Sequence, residues 1–276
     1  MPRRRSQLIP WKVAGRITEG FSSGDDVVRE TGWVFNNATG DSLTLAEFVA
    51  TGDDEVPAYL EAFGLRTPEN QDRTMVEIGS GIGRMTAAFS REFGHVIAAD
   101  LDIGFLERCR ETVARFGRVE RLRTLEVADG RSLDLADGSV DLAFSYITLQ
   151  HCVRDDALAL AVEATRVTRH GGRIALNFRG PSRLDPLLLP VGAIVRAMFG
   201  LPRVGEWLSQ RRAVTRLAWQ VSRLDAATVL DALEGRIVDV TIWSSDGRAE
   251  RVPERVPVAA FGGINANHWW LIATVR

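Results

Sequence analysis

The sequence predicts an α/β fold, a doubly wound and mostly parallel sheet covered by helices on both faces. Three observations point to it. From residue 74 onward, short β-branched runs alternate with helical stretches, the rhythm of βαβ units. The first run bends into a glycine-rich turn, "VEIGSGIGRM" at 76–85. The second and third runs each finish on an acid, Asp100 and Asp129.

The elements follow in order. Residues 1–70 lack alternating runs and form a helical N-terminal cap ahead of a main domain at 71–276. "SLTLAEFVA" (42–50) reads as one amphipathic helix capped by Asp41 or Ser42, and 54–64 as a second, ended by Gly64. In the main domain, strands are expected at 74–79, 95–100, 121–129, 140–147 and 172–178. Helices are expected between them at 81–93, 104–116 and 155–168. The helix at 81–93 places Ile82, Met85, Ala88 and Phe89 on one face. Residues 181–223 interrupt the rhythm as an apolar, Arg- and Trp-rich helical insertion. A helix at 224–235 and strands at 236–244 and 267–276 complete the chain. The long Gly-, Pro- and Arg-rich loop between those strands suggests function rather than a plain turn.

Composition narrows the partners. The 276 residues carry a net charge of −2, so no global field draws the chain to nucleic acid. Arg3-Arg4-Arg5 is a terminal basic triplet of the kind that frays in solvent. Cys109 and Cys152 show no paired spacing, which argues against disulfides and a zinc site. No acidic trio gathers at the carboxyl edge of the sheet, so no metal is expected. With no apolar leader visible, a reducing cytoplasm is the expected compartment.

The glycines sit where ligands bind. In a doubly wound sheet the first strand-to-helix turn lies at the carboxyl edge. Glycine lets the chain turn tightly and lets a ligand approach bare backbone. A dinucleotide turn wants G-x-G-x-x-G, but Arg84 occupies the sixth position here. The pattern present is Glu77-x-Gly79-x-Gly81-x-Gly83. An acid two residues before the first glycine would repel a pyrophosphate and suits a cofactor with a cationic end. Asp100, 17 residues past Gly83, can accept from a ribose diol, and Asp129 from an adenine amino group. Each acid taken alone is equally a helix cap or a solvated loop residue.

These motifs resemble the class I S-adenosylmethionine-dependent methyltransferases, specifically the small-molecule type with a generic methyltransferase domain. S-adenosylmethionine carries both an ammonium and a sulfonium. The resemblance covers about 70–180 well and rests on "VEIGSGIGRM", "AAD" (98–100), "VADG" (127–130), "DGSVDLAFSYITLQHC" (137–152) and "VTRHGGRIALNF" (167–178). It implies a seven-stranded Rossmann-like sheet with its last strand antiparallel. It further implies a donor site of Glu77, Gly79, Ser80, Gly81, Gly83, Arg84 and Met85 in the first turn. Asp100 and Leu101 would lie at the ribose, Ala128, Asp129 and Gly130 at the adenine, and Ser145, Tyr146 and Gln150 at the end of the fourth strand and just beyond it.

Topology sorts the four histidines. His95 and His170 fall at the amino edge, away from the cofactor. His151 follows the fourth strand on the ligand side and is the candidate base, with Asp155 or Asp156 to orient it; packing over the cofactor or binding substrate is the competing role. His268 begins the last strand, also on the ligand side, and ranks below His151. Trp269-Trp270 beside it reads as core.

The acceptor is less defined. "SYITLQH" (145–151) lacks the Asn/Asp-Pro-Pro-aromatic stretch found in enzymes that methylate base or glutamine nitrogens. Oxygen on a small-molecule, sugar or lipid-linked acceptor is therefore expected. The apolar stretch 186–202 reads as a buried helix pair or a contact between copies of the chain. The sharper alternative is a lid over an apolar acceptor, or contact with a membrane surface through Arg196, Arg203, Arg211 and Arg212. A nucleotide-dependent oxidoreductase and a non-catalytic cofactor-binding module stand as alternatives to methyl transfer; Arg84 and Glu77 count against the former.

Overall fold

A computed structural model describes residues 24–25, 28, 44–182, 184–199, 201–209 and 222–276. Eight strands form one sheet: β1 (Thr74–Ile78), β2 (His95–Asp100), β3 (Leu122–Glu126), β4 (Val140–Ser145), β5 (Thr168–Arg179), β6 (Ile237–Ser244), β7 (Val258–Ala260) and β8 (His268–Val275). Their order is β3-β2-β1-β4-β5-β8-β6-β7. β1 through β5 pair in parallel, and β8 runs antiparallel to both β5 and β6. The expected sheet had seven strands. The eighth is β7, a three-residue strand in the loop before β8 that pairs with β6 at Ile242↔Val258. A strand this short, entered through Pro253 and Pro257, leaves no alternating pattern to read.

Strand order reverses between β1 and β4, so the carboxyl edge opens a crevice there. The helices that wall it are α1 (Leu45–Ala62), α2 (Arg84–Glu92), α3 (Ile103–Phe116) and α4 (Arg154–Val167). The insertion supplies α5 (Asp185–Phe199) and α6 (Pro202–Ser209), and α7 (Ala226–Ala232) precedes β6. One core layer joins α4 and α7 to the sheet through Leu160, Ala164, Val229 and Leu233. On the opposite face, α1, α2 and α3 pack through Phe48, Tyr59, Phe89 and Phe105.

The cap differs from expectation in one respect. The two short helices expected at 42–50 and 54–64 are a single 18-residue helix, α1. Thr44 caps it, and Glu47 returns the bond to the Thr44 backbone. Asp41 and Ser42, the expected caps, lie outside the described residues. Gly52 marks a helix crossing: a Cβ there would stand 2.3 Å from the Arg84 carbonyl oxygen. The cap is held by burial of Phe48, Val56, Tyr59 and Leu60. Each contributes about 1.5–3 kcal/mol.

Candidate active site

The glycine turn leaves β1 with its backbone tied to the neighbouring strand. The N–H groups of Gly79 and Ser80 both donate to the Ala99 carbonyl, at 2.7 and 3.1 Å. Gly79 and Gly83 adopt φ of +82° and +91°, the left-handed region that glycine enters without strain. A Cβ on Gly79 would lie 2.1 Å from Thr148 Oγ1, and one on Gly83 3.0 Å from Cys109 Sγ. The turn is therefore pressed between the β4 exit and α3, with no room for a side chain.

Around it the structure brings together four of the expected residues. Glu77 is buried and accepts from Thr86 Oγ1 at 2.6 Å. Burial pushes its carboxyl up to about 8 despite that bond and nearby Arg84. Asp100 spans the mouth of the turn: one oxygen accepts from the Gly81 N–H at 2.8 Å, the other from the Asp102 N–H at 3.0 Å. Burial pushes it up to about 6, against the pull of those N–H groups. Ser80 Oγ is buried without a hydrogen-bond partner. Leu101 flanks Asp100, partly buried.

The remaining expected residues are placed differently from one another. Asp129 is exposed and folds back on its own turn, accepting from the N–H groups of Arg131 and Ser132 and from Ser132 Oγ. Ala128 beside it is exposed, and Gly130 is buried. Arg84 extends to the cap, donating to Glu55 Oε2 at 2.8 Å and Thr51 Oγ1 at 3.1 Å. Its guanidinium also lies 5.8 Å from the Phe48 ring centre and 5.7 Å from that of Tyr146. Met85 is packed in the apolar layer with Phe89 and Trp270. Ser145 is fully buried and donates to the Ile78 carbonyl, locking β4 to β1.

A second cluster assembles over β4, β5 and β8. Tyr146 stacks on Trp270 at 5.5 Å and 9°, and its hydroxyl accepts from Asn265 Nδ2 at 3.2 Å. Ile147 then takes a φ of +57°. For a β-branched residue this stores on the order of 1–3 kcal/mol of strain. The turn is held because the Ile147 N–H donates to Asn177 Oδ1 at 3.2 Å. Beyond it, a short 3-10 helix at Leu149–His151 carries Gln150 and His151, both buried. Gln150 Nε2 lies 3.3 Å from the Ile147 carbonyl and 3.4 Å from His151 Nε2, while Gln150 Oε1 is buried without a partner. Asp156 is fully buried and pairs with Arg131 at 3.1 Å. Asp155 is exposed in the first turn of α4.

Residues that sequence reasoning did not single out complete this cluster. Arg223 pairs with Asp185 at 3.0 Å, with both side chains nearly buried. Arg179 ends β5 and faces His268 across the ladder. Ser222 straps the 3-10 helix, donating to the carbonyls of Gln150 and Leu149. Asn177, Arg179 and Arg223 were invisible because each is joined to the site by β-pairing or a loop crossing rather than by spacing. Among the described residues, no group of three His, Cys, Asp or Glu side chains could hold a metal.

Residues 76–176 match a family model described as a methyltransferase domain. Residues 76–176 of this chain therefore form a class I S-adenosylmethionine-dependent methyltransferase domain. It is 33% identical over 163 residues to the malonyl-[acyl-carrier protein] O-methyltransferase of Methylococcus capsulatus, covering 56% of this chain and 54% of that one. It is 31% identical over 142 residues to a ubiquinone/menaquinone biosynthesis C-methyltransferase of Klebsiella pneumoniae, covering 50% and 54%. The chain spans about half or less of the length of the curated relatives it matches first. Its fold is similar to the magnesium protoporphyrin IX methyltransferase of Synechocystis, with a TM-score of 0.51 at 15% identity over 91% and 97% of the chains.

Proposed function

We propose that this protein transfers a methyl group from S-adenosylmethionine to an oxygen of a small-molecule, sugar or lipid-linked acceptor. The observation that carries the donor half is Glu77. It is a buried carboxyl raised to about 8 beside a turn stripped of side chains, and a cationic ligand would draw it back to its charged form. The residues present fit the donor: Glu77 for the ammonium, Asp100 for the ribose hydroxyls, the Gly79–Gly83 backbone and orphaned Ser80 Oγ for the methionine part. Asp129 would reach the adenine by opening its turn. When bound, S-adenosylmethionine supplies an activated methyl group on a sulfonium.

The chain's own contribution is position and proton removal. Holding donor and acceptor in line accounts for several kcal/mol of the barrier, on the order of 7–11 at most. His151, on the ligand side of β4, accepts the acceptor's proton at Nε2, in place of the hydrogen bond that this nitrogen accepts from Gln150 Nε2 at 3.4 Å. Oxygen is favoured by Tyr146-Ile147-Thr148 occupying the place of a proline-rich amine-recognising stretch. The relatives' printed names span O-, C- and N-methylation.

Calorimetry with S-adenosylhomocysteine and with NAD tests the donor half. Binding of the first alone is expected; binding of NAD alone would leave the oxidoreductase reading. Label transfer from radiolabelled donor to a cell-extract fraction tests turnover, and its absence would favour a non-catalytic module.

A second reading concerns α5. Leu184, Leu187, Val191 and Ile194 are exposed at helical spacing, with Leu201 and Trp207 beyond. This row favours a lipid-linked acceptor or contact with a membrane surface. No helix among the described residues is long and apolar enough to cross a membrane. Liposome flotation with anionic vesicles, compared with Leu187→Asp/Ile194→Asp, decides it: pelleting of the wild-type chain away from the lipid would end this reading.

A further inference from the structure

His268 opens β8 at the carboxyl edge, opposite Arg179 in the ladder, and is 6% exposed. Its surroundings fix its chemistry without reference to any ligand. Asn177, 1% exposed, places Oδ1 at 3.2 Å from the Ile147 nitrogen and Nδ2 at 3.2 Å from the Trp269 carbonyl oxygen. The first of these backbone groups can only donate and the second only accept. The amide therefore has one orientation, with its oxygen toward Ile147. That same oxygen lies 3.2 Å from His268 Nδ1. A carbonyl oxygen accepts, so Nδ1 carries the proton and Nε2 carries a lone pair.

The ring is also kept neutral. Burial, together with Arg179, His151 and Arg223 facing it, pushes His268 down to about 3. Asp185 is the described carboxylate in this cluster, and it is engaged by Arg223. A histidine so placed is a poor proton acceptor but a permanent hydrogen-bond acceptor at working pH. The proton-transfer role stays with His151, and His268 offers something different: the lone pair of a neutral ring at the carboxyl edge of the sheet.

We propose that His268 Nε2 accepts a hydrogen bond from a hydroxyl or N–H group of the acceptor other than the one methylated. His268 is then a specificity-determining residue, and the acceptor belongs to a class with at least two protic groups, as in a polyhydroxylated molecule. An analogue lacking the second donor leaves that lone pair buried and unmet, which is how such sites reject close analogues. Asn177 is the positioning residue, since it sets both the tautomer of His268 and the strained turn at Ile147. This inference rests on the methyl-transfer reading above.

Two variants separate the two ring nitrogens. His268→Asn keeps a donor for Asn177 at the Nδ1 position and loses the acceptor at the tip. His268→Gln keeps a polar acceptor near the Nε2 position. The probe is the small-molecule fraction of a cell extract, titrated against radiolabelled S-adenosylmethionine, with S-adenosylhomocysteine affinity as the control. The expected result is unchanged affinity in both variants, label transfer near wild type in His268→Gln, and at least a tenfold rise in the half-saturating extract concentration in His268→Asn. The reverse ranking, or equal behaviour of both, overturns the proposal and makes the ring a structural tie through Nδ1. Absence of label from the wild-type chain, with S-adenosylhomocysteine still bound, overturns the methyl-transfer reading and the acceptor role with it. Ring nitrogen NMR of the wild-type full chain is independent of both variants. It is expected to show His268 protonated at Nδ1 with no titration between pH 5 and 8; a proton on Nε2, or a midpoint near 6.5, overturns the proposal.

Discussion

The proposed donor turn and the proposed acceptor cluster share one edge of the sheet but are built in opposite ways. The donor turn is one continuous segment, 77–86, closed by one carboxylate from the next strand. The acceptor cluster draws on 146–151, 177–185, 222–225 and 265–270. A group of fixed shape can be held by a short local pattern. A variable acceptor is met by loops that differ in length and sequence while the strands beneath them stay put. The difference predicts that changes on one side move donor affinity and changes on the other move turnover.

The largest expected effect lies on the acceptor side. His151→Ala should lower label transfer by about 10²–10⁴-fold while leaving S-adenosylhomocysteine affinity unchanged by calorimetry. A loss of affinity instead would mean that His151 packs over the donor. On the donor side, Gly79→Val should weaken S-adenosylhomocysteine binding by roughly a hundredfold, because it forces a β-branched residue to φ +82° against Thr148. Near-normal binding would show that the turn yields and that the two sides are not mechanically separate.

Asp100→Ala should cost the donor about tenfold, since it removes charge-assisted bonds. An unchanged dissociation constant would remove Asp100 from the site. A smaller effect concerns pH. Glu77 holds its proton in the folded, ligand-free state up to about 8 but would lose it near the ordinary carboxylate value when unfolded. Its contribution to stability is therefore full at acid pH and is lost as pH rises toward 8. A bound ammonium reverses this, so the thermal shift produced by S-adenosylmethionine should grow from pH 6 to pH 8, with proton release. In Glu77→Gln that growth should vanish, and a persistent slope would point to another group. The smallest effect expected is at the cap. Glu55→Gln leaves the nearly buried Arg84 guanidinium without its carboxylate. It should lower stability by about 1–3 kcal/mol, read by denaturant titration, with donor affinity changed only a few-fold.

Much of the fold was legible because the β-branched runs and the helices between them are local signals. β2 is found where the alternation placed it, and β1, β6 and β8 within a residue or two at each end. The cap reads as two helices in the sequence, but the helix runs on through Gly52, whose missing side chain admits the Arg84 backbone. Glu77, the glycines and Asp100, the proposed donor residues, stand out by spacing, and the structure gathers them at one turn. Arg84 was read as a donor residue because it lies inside the motif; its partner, Glu55, is 29 residues away. His268 was ranked low because the feature that defines it, the orientation of Asn177, is created by antiparallel pairing between strands 91 residues apart.

Gly52 and Pro57 sit inside α1, and both weaken a helix standing alone, by about 1 and 3 kcal/mol relative to alanine. The contact with the Arg84 carbonyl is possible only because residue 52 has no side chain. As a free peptide this segment would be largely coil, and it gains its helical form on a surface that the sheet and α2 must first provide. Hydrogen exchange should therefore find α1 opening before the sheet beneath it.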